Sequence, residues 1–79
     1  MDKQQILNEI TEIFRDVLDE EELTLTPATV ATDVDGWDSL SHVMLVVAIE
    51  KHFKIRFTSK EIQSWKNVGE MVDCVAGKF

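Results

Sequence analysis

From Asp38 to Phe53 the chain reads "DSLSHVMLVVAIEKHF", a continuous helical pattern that is apolar on two sides rather than one. At about 100° per residue, Leu45, Val46, Ile49 and Phe53 gather on one flank. Leu40, Val43, Met44 and Val47 gather on roughly the opposite flank. A helix that is apolar all round is normally buried all round. With 79 residues in total, such a helix is either sandwiched at the centre of a small bundle or leaves one stripe at the surface as a docking face.

The segments around it are helical as well. Over about Lys3 to Leu18, residues Ile6, Ile10, Ile13, Phe14 and Val17 recur at helical spacing, with Asp2 and Gln5 placed as a capping box. Thr58 and Glu61 repeat that spacing in "TSKEIQSW" and predict a short third helix. Asn67 and Glu70 open a last helix expected to bury Val68, Met71, Val72, Val75 and Phe79. Between the first two long helices, about Asp19 to Trp37, there is no sustained periodicity. Leu23, Leu25 and Val30 can pin this connection to the core, and a loop so long in a small domain is often functional. No strand pattern has a partner. The expected fold is all-α, a four-helix bundle with a long loop between helices 1 and 2 and a short helix 3. It forms a single domain over residues 1–79.

Charge narrows the partners. Fifteen acidic against eight basic residues give a net charge of −7, which argues against nucleic acid and anionic membrane and favours proteins with basic surfaces. Acid clusters at Asp19–Glu22, where it keeps a loop solvated, and at Asp33, Asp35 and Asp38. The N-terminus "MDKQQILNEI" lacks the pattern of a secretion signal, and Cys74 has neither a disulfide partner nor metal-ligand neighbours, so a cytoplasmic location is expected. Half-buried and inert is the expectation for that thiol.

Asp38 suits a helix N-cap and Ser39 the first helical turn. A helix N-terminus, with its unpaired N–H groups and partial positive charge, also stabilises an anion such as a phosphodiester on Ser39. Calcium binding fails on register. An EF-hand frame starting at Asp33 puts Asp38 at the glycine position and Met44 at the glutamate position; centring it on Gly36 puts Ala31 first and His42 last. A hydrolase built on Ser39 and His42, one helical turn apart, lacks a readable oxyanion-hole motif. His42 lies beside the Ile49 and Phe53 flank and reads as packed or half-exposed. His52 sits where the helix dipole favours it.

These features together resemble the acyl carrier protein family, the phosphopantetheine-binding carrier domains, over nearly the whole chain. Asp38-Ser39-Leu40 matches the attachment motif, and Ala48, Ile49, Glu50 and Phe53 match the family's Ala-Leu-Glu-x-x-Phe ending. The resemblance implies that a phosphopantetheinyl transferase attaches 4′-phosphopantetheine to Ser39, with Asp38 helping to position the transferase and its metal and Leu40 completing the motif. The protein itself is then non-catalytic and binds no metal of its own. Its arm carries an acyl, aminoacyl or related group as a thioester, loaded by an acyl- or aminoacyl-ligase and passed to pathway synthases or transferases. Val43, Met44 and Val47 form the partner-docking face, and the protein is expected to be a monomer.

Departures from the housekeeping fatty-acid carriers point to a specialised pathway with its own loading enzyme. Ser41 and Met44 stand where those carriers commonly have acids, the second helix ends in Lys51 and His52 with Lys54 and Arg56 following, and Trp37 replaces a small residue. Trp37 is expected either to cover the helix start or to touch cargo. Trp65 is expected to pack as a core residue between the short and final helices, or, as the resemblance implies for a crevice near the short helix, to touch a carried chain. The alternative is a domain of the same fold that is never modified and serves as an acidic protein-interaction module.

Overall fold

The structure, a computed structural model describing residues 2–79, contains four helices: α1 (Lys3–Leu18), α2 (Ser39–Phe53), α3 (Ser59–Ser64) and α4 (Val68–Ala76). A 3₁₀ turn at Ala31–Asp33 interrupts the connection between α1 and α2. Among the described residues there is no strand, and no helix is long and apolar enough to cross a membrane. The all-α expectation holds.

The helix starts follow the capping logic of the sequence. The Asp2 carboxylate accepts the Gln5 N–H at 2.7 Å and the Asn67 side chain accepts the Glu70 N–H at 2.9 Å. Thr58 and Glu61 close a full reciprocal box, at 3.1 and 2.8 Å. Glu61 carries more than its cap. Lys78 Nζ donates to its two oxygens at 3.1 and 2.9 Å, and the Cys74 thiol lies 3.5 Å away. The Thr58 backbone N–H, seconded by Lys78, pulls the Glu61 carboxyl down to about 2. That pairing ties the short α3 to the tail of α4.

α1 packs against both α2 and α4. Its buried stripe is Ile6, Leu7, Ile10, Thr11 and Phe14, with Ile13 and Val17 half-buried at its margin. Thr11 is tolerated there because its hydroxyl donates to the Leu7 carbonyl at 2.8 Å. α2 contributes Leu45, Val46, Ile49 and Phe53, and α4 contributes Val68, Met71, Val72 and Val75, as the periodicity predicts. The sandwiched helix is therefore α1, and α2 has a free outer flank.

The long loop is tied down at both ends of its course. Arg15 Nε donates to the Leu23 carbonyl at 2.7 Å, Leu25 is buried, and Leu23 and Val30 are half-buried. Val34, which the sequence pattern does not single out, also enters the core. Further along, the carbonyls of Thr29 and Pro27 accept the N–H groups of Val68 and Gly69 at 2.9 and 2.8 Å, so the loop caps the first turn of α4. Only glycine permits that approach, since a Cβ at position 69 would lie 2.9 Å from the Pro27 carbonyl oxygen.

Phe79 corrects one expectation. The last helix ends at Ala76, the chain turns through Gly77, and Phe79 leaves the helical register to stand 60% exposed, edge-on to Phe53. His52 also does more than complement a dipole: its Nε2 pairs with Glu9 of α1 at 2.7 Å. Cys74 is half-buried, and burial pushes its thiol above the ordinary value, which keeps it protonated.

The two apolar ends give opposite outcomes on truncation. Ile49→Ala, at a fully buried site, should cost about 2–5 kcal/mol in chemical denaturation, whereas Phe79→Ala should change stability by less than about 1 kcal/mol.

Candidate functional site

The start of α2 is built by a reciprocal cap. Asp38 Oδ1 accepts the Ser41 N–H at 2.9 Å, and the Asp38 N–H donates back to Ser41 Oγ at 2.8 Å. The Ser41 hydroxyl in turn donates to the Gly36 carbonyl at 2.6 Å, fastening the preceding turn. Gly36 adopts φ of +85°, a left-handed geometry that favours glycine there. The Ser41 backbone N–H holds the Asp38 carboxyl below its ordinary value, against the opposing effect of its own desolvation.

The acidic cluster that precedes α2 is thus partly structural. Asp33 closes the 3₁₀ turn by accepting the Val30 N–H at 3.1 Å, and Asp38 caps the helix; Asp35 remains exposed.

Ser39, immediately after the cap, is exposed, and among the described residues its hydroxyl takes part in no hydrogen bond. Beyond it the outer flank of α2 lies in water: Leu40 is 73% exposed, Val43 60%, Met44 51% and Val47 43%. The opposite flank, with Leu45 and Ile49 fully buried, faces the core. At the far end of the exposed flank, Val47 borders a shallow depression lined by Glu50, Lys51, Lys54, Ile55 and Arg56, where three cations outnumber one acid.

Ser39 also borders a crevice of about 340 Å³, lined by Trp37, Asp38, His42, Trp65, Lys66 and Met71 among others. Its walls are rings in succession. Trp37 meets Phe14 edge-on at 4.9 Å between centroids, stacks with His42 at 6.1 Å, and His42 meets Trp65 at 6.1 Å. Trp65 then meets Phe57 edge-on at 4.8 Å. Both tryptophans pack on the core, and the Trp65 indole N–H is buried without a hydrogen-bond acceptor among the described residues. His42 is half-buried, and desolvation pushes its pKa below the ordinary 6.5.

A protein-family model described as the phosphopantetheine attachment site matches residues 8–75 of this chain. The chain belongs to the acyl carrier protein family. It is 36% identical over 76 residues to the acyl carrier protein of Acidothermus cellulolyticus, covering 96% of this chain and 90% of that one. The acyl carrier protein of Rubrobacter xylanophilus is likewise 36% identical over 76 residues, with 95% and 93% covered. Among solved structures, the solution NMR structure of a holo acyl carrier protein from Geobacter metallireducens superposes with a TM-score of 0.87 at 48% identity, over 92% of this chain and 84% of that one.

Acyl carrier proteins are non-catalytic and hold 4′-phosphopantetheine covalently. The residues at the start of α2 fit such a group. An exposed serine hydroxyl with no internal partner heads the helix, and a mainly apolar crevice adjoins it. Among the described residues no cluster of three metal-ligating side chains forms, so the acids around Asp38 are not gathered as a cation site.

Two features here escape the sequence pattern. Ser41 reads there as the absence of an acid, whereas it is one half of the cap; its position three residues after Asp38 is the signal that could have found it. The Trp37–His42 pairing joins a loop residue to a helix residue, and no periodicity spans that junction.

The lowered pKa of His42 has a pH signature. The unfolded chain takes up the proton near 6.5 before the folded one does, so stability from the neutral ring is complete above about 6.5 and declines as the pH falls below it. An NMR titration should place the His42 midpoint below 6.5; a midpoint above that value would contradict the buried environment.

Proposed function

We propose that this chain is a single carrier domain over residues 1–79 that holds its cargo on a 4′-phosphopantetheine arm attached to Ser39. The exposed, unpartnered Ser39 hydroxyl in the first turn of α2 carries this reading. In the attachment step the Ser39 oxygen bonds to the phosphorus nearer the pantetheine of coenzyme A. The pyrophosphate P–O bond breaks, the adenosine bisphosphate leaves, and the hydroxyl proton passes to the phosphopantetheinyl transferase. The arm supplies a thiol that holds acyl, aminoacyl or related groups as thioesters.

Asp38 serves this site by fixing the helix start with an ionised carboxylate, within reach of the transferase and its metal. Because that carboxylate already occupies the Ser41 amide, the helix N-terminus has less positive charge to offer a phosphodiester than a bare helix start would. Leu40 extends the site into the exposed stripe.

Partner enzymes dock on Val43, Met44 and Val47. The exposure of these side chains supports an apolar contact, and the cations Lys51, Lys54 and Arg56 at the end of the stripe call for acidic groups on the partner there. That charge pattern, with Met44 and Ser41 in place of acids, favours a specialised pathway with a dedicated loading ligase over the general fatty-acid enzymes. Fatty acid, polyketide, amino acid and small hydroxy-acid cargo are all compatible with the site. A cytoplasmic monomer suits this role.

Intact-mass measurement after incubation with coenzyme A, magnesium and a broad-specificity transferase should show one added phosphopantetheine on the wild type and none on Ser39→Ala. An unchanged wild-type mass with several transferases would favour an unmodified acidic interaction module. Met44→Glu should lower handling by partner enzymes roughly tenfold or more, the scale of losing one well-placed apolar contact. Its circular dichroism should stay near wild type, since a collapse of helicity would mean that the stripe is core.

A further inference from the structure

We infer that His42 is the polar reader of the crevice beside Ser39: its Nε2–H donates a hydrogen bond to a carbonyl or hydroxyl oxygen of the tethered group. The inference rests on the carrier reading and adds a recognition group to it.

Trp37 Nε1–H donates to His42 Nδ1 at 3.1 Å. An indole nitrogen can only donate, so Nδ1 must present its lone pair, and the proton of the neutral imidazole sits on Nε2. The ring is held from two sides, stacked on Trp37 with 21° between planes and edge-on to Trp65 at 76°. Rotation to present the other nitrogen would break the indole hydrogen bond.

Nε2 has no partner among the described residues, and it is not sealed away, because the only buried side-chain polar atom without a partner among those residues is Trp65 Nε1. His42 lines the crevice together with Ser39. The open donor therefore belongs to a residue that borders the space beside the proposed attachment position. Desolvation favours the neutral ring there, consistent with a donor rather than a cation.

The rest of the lining is largely apolar, with Trp37, Trp65 and Met71 as its walls. A plain hydrocarbon filling this space would strip water from Nε2–H and give nothing in return. An oxygen placed among those rings satisfies it. Two sources have that chemistry: an amide carbonyl of the arm itself, or a hydroxyl or keto oxygen on a short cargo.

Histidine ring ¹H–¹⁵N spectra of the full chain test this in four forms. They are the apo protein, the holo protein, and proteins loaded from butyryl- and 3-hydroxybutyryl-coenzyme A, each verified by intact mass. The apo form should show the Nε2–H tautomer, and Trp37→Phe, which keeps a ring but loses the donor, should release a mixture of tautomers. Solvent exchange of the His42 Nε2 proton should then slow roughly fivefold, the factor that one net hydrogen bond of ordinary strength confers. Slowing already in the holo form identifies the arm as the acceptor; slowing only in the 3-hydroxybutyryl form identifies the cargo.

An Nδ1–H tautomer in the apo protein, tautomers unmoved by Trp37→Phe, or equal exchange rates in all mass-verified forms would overturn the proposal while leaving the carrier reading intact. Failure to gain any arm would sink both.

Discussion

The bundle depends on α1 being shared. Its one buried stripe, from Ile6 to Phe14, packs against α2 and α4 together, and among the described residues no further long helix covers α2 from outside. With Leu45, Val46, Ile49 and Phe53 committed to the core, the opposite flank of α2 is left exposed. Exposed side chains on this flank are thus a consequence of how the described helices pack, and their apolar character is what the sequence adds.

The Asp38–Ser41 cap works on the same helix from its end. It fixes where α2 begins, and therefore sets Ser39 one residue inside the first turn with its hydroxyl free. The hydrogen bond from Ser41 to the Gly36 carbonyl extends that order back into the loop, and the Trp37 ring, held against Phe14, extends it down into the core. The Ser39 hydroxyl thereby has both access and a stable position, and both come from these few contacts.

Much of this was legible beforehand because its determinants are local. The 3.6-residue spacing separated the two flanks of α2, the capping pairs placed the starts of α1, α3 and α4, and Asp38 alone marked that of α2. What escaped depends on contacts between distant residues or on loop geometry. Val34 enters the core and the 3₁₀ turn forms through tertiary packing and the Asp33 side chain, neither of which leaves a periodic trace. Leu7 and Thr11 are buried because α1 serves two neighbours, which widens its stripe beyond that of a one-sided amphipathic helix. Phe79 fell outside the core because α4 stops at Ala76, and helical spacing cannot announce its own end. Asp38-Ser39-Leu40 stood out in the sequence as a candidate attachment motif, while the imidazole–indole pair beside it required coordinates.

The rings around the crevice also make the protein self-reporting. It contains no tyrosine, and its two tryptophans, Trp37 and Trp65, both stand in the walls beside Ser39. Its ultraviolet emission therefore originates almost wholly from that one place, so the colour and intensity of the light follow whatever enters or leaves it without any added dye.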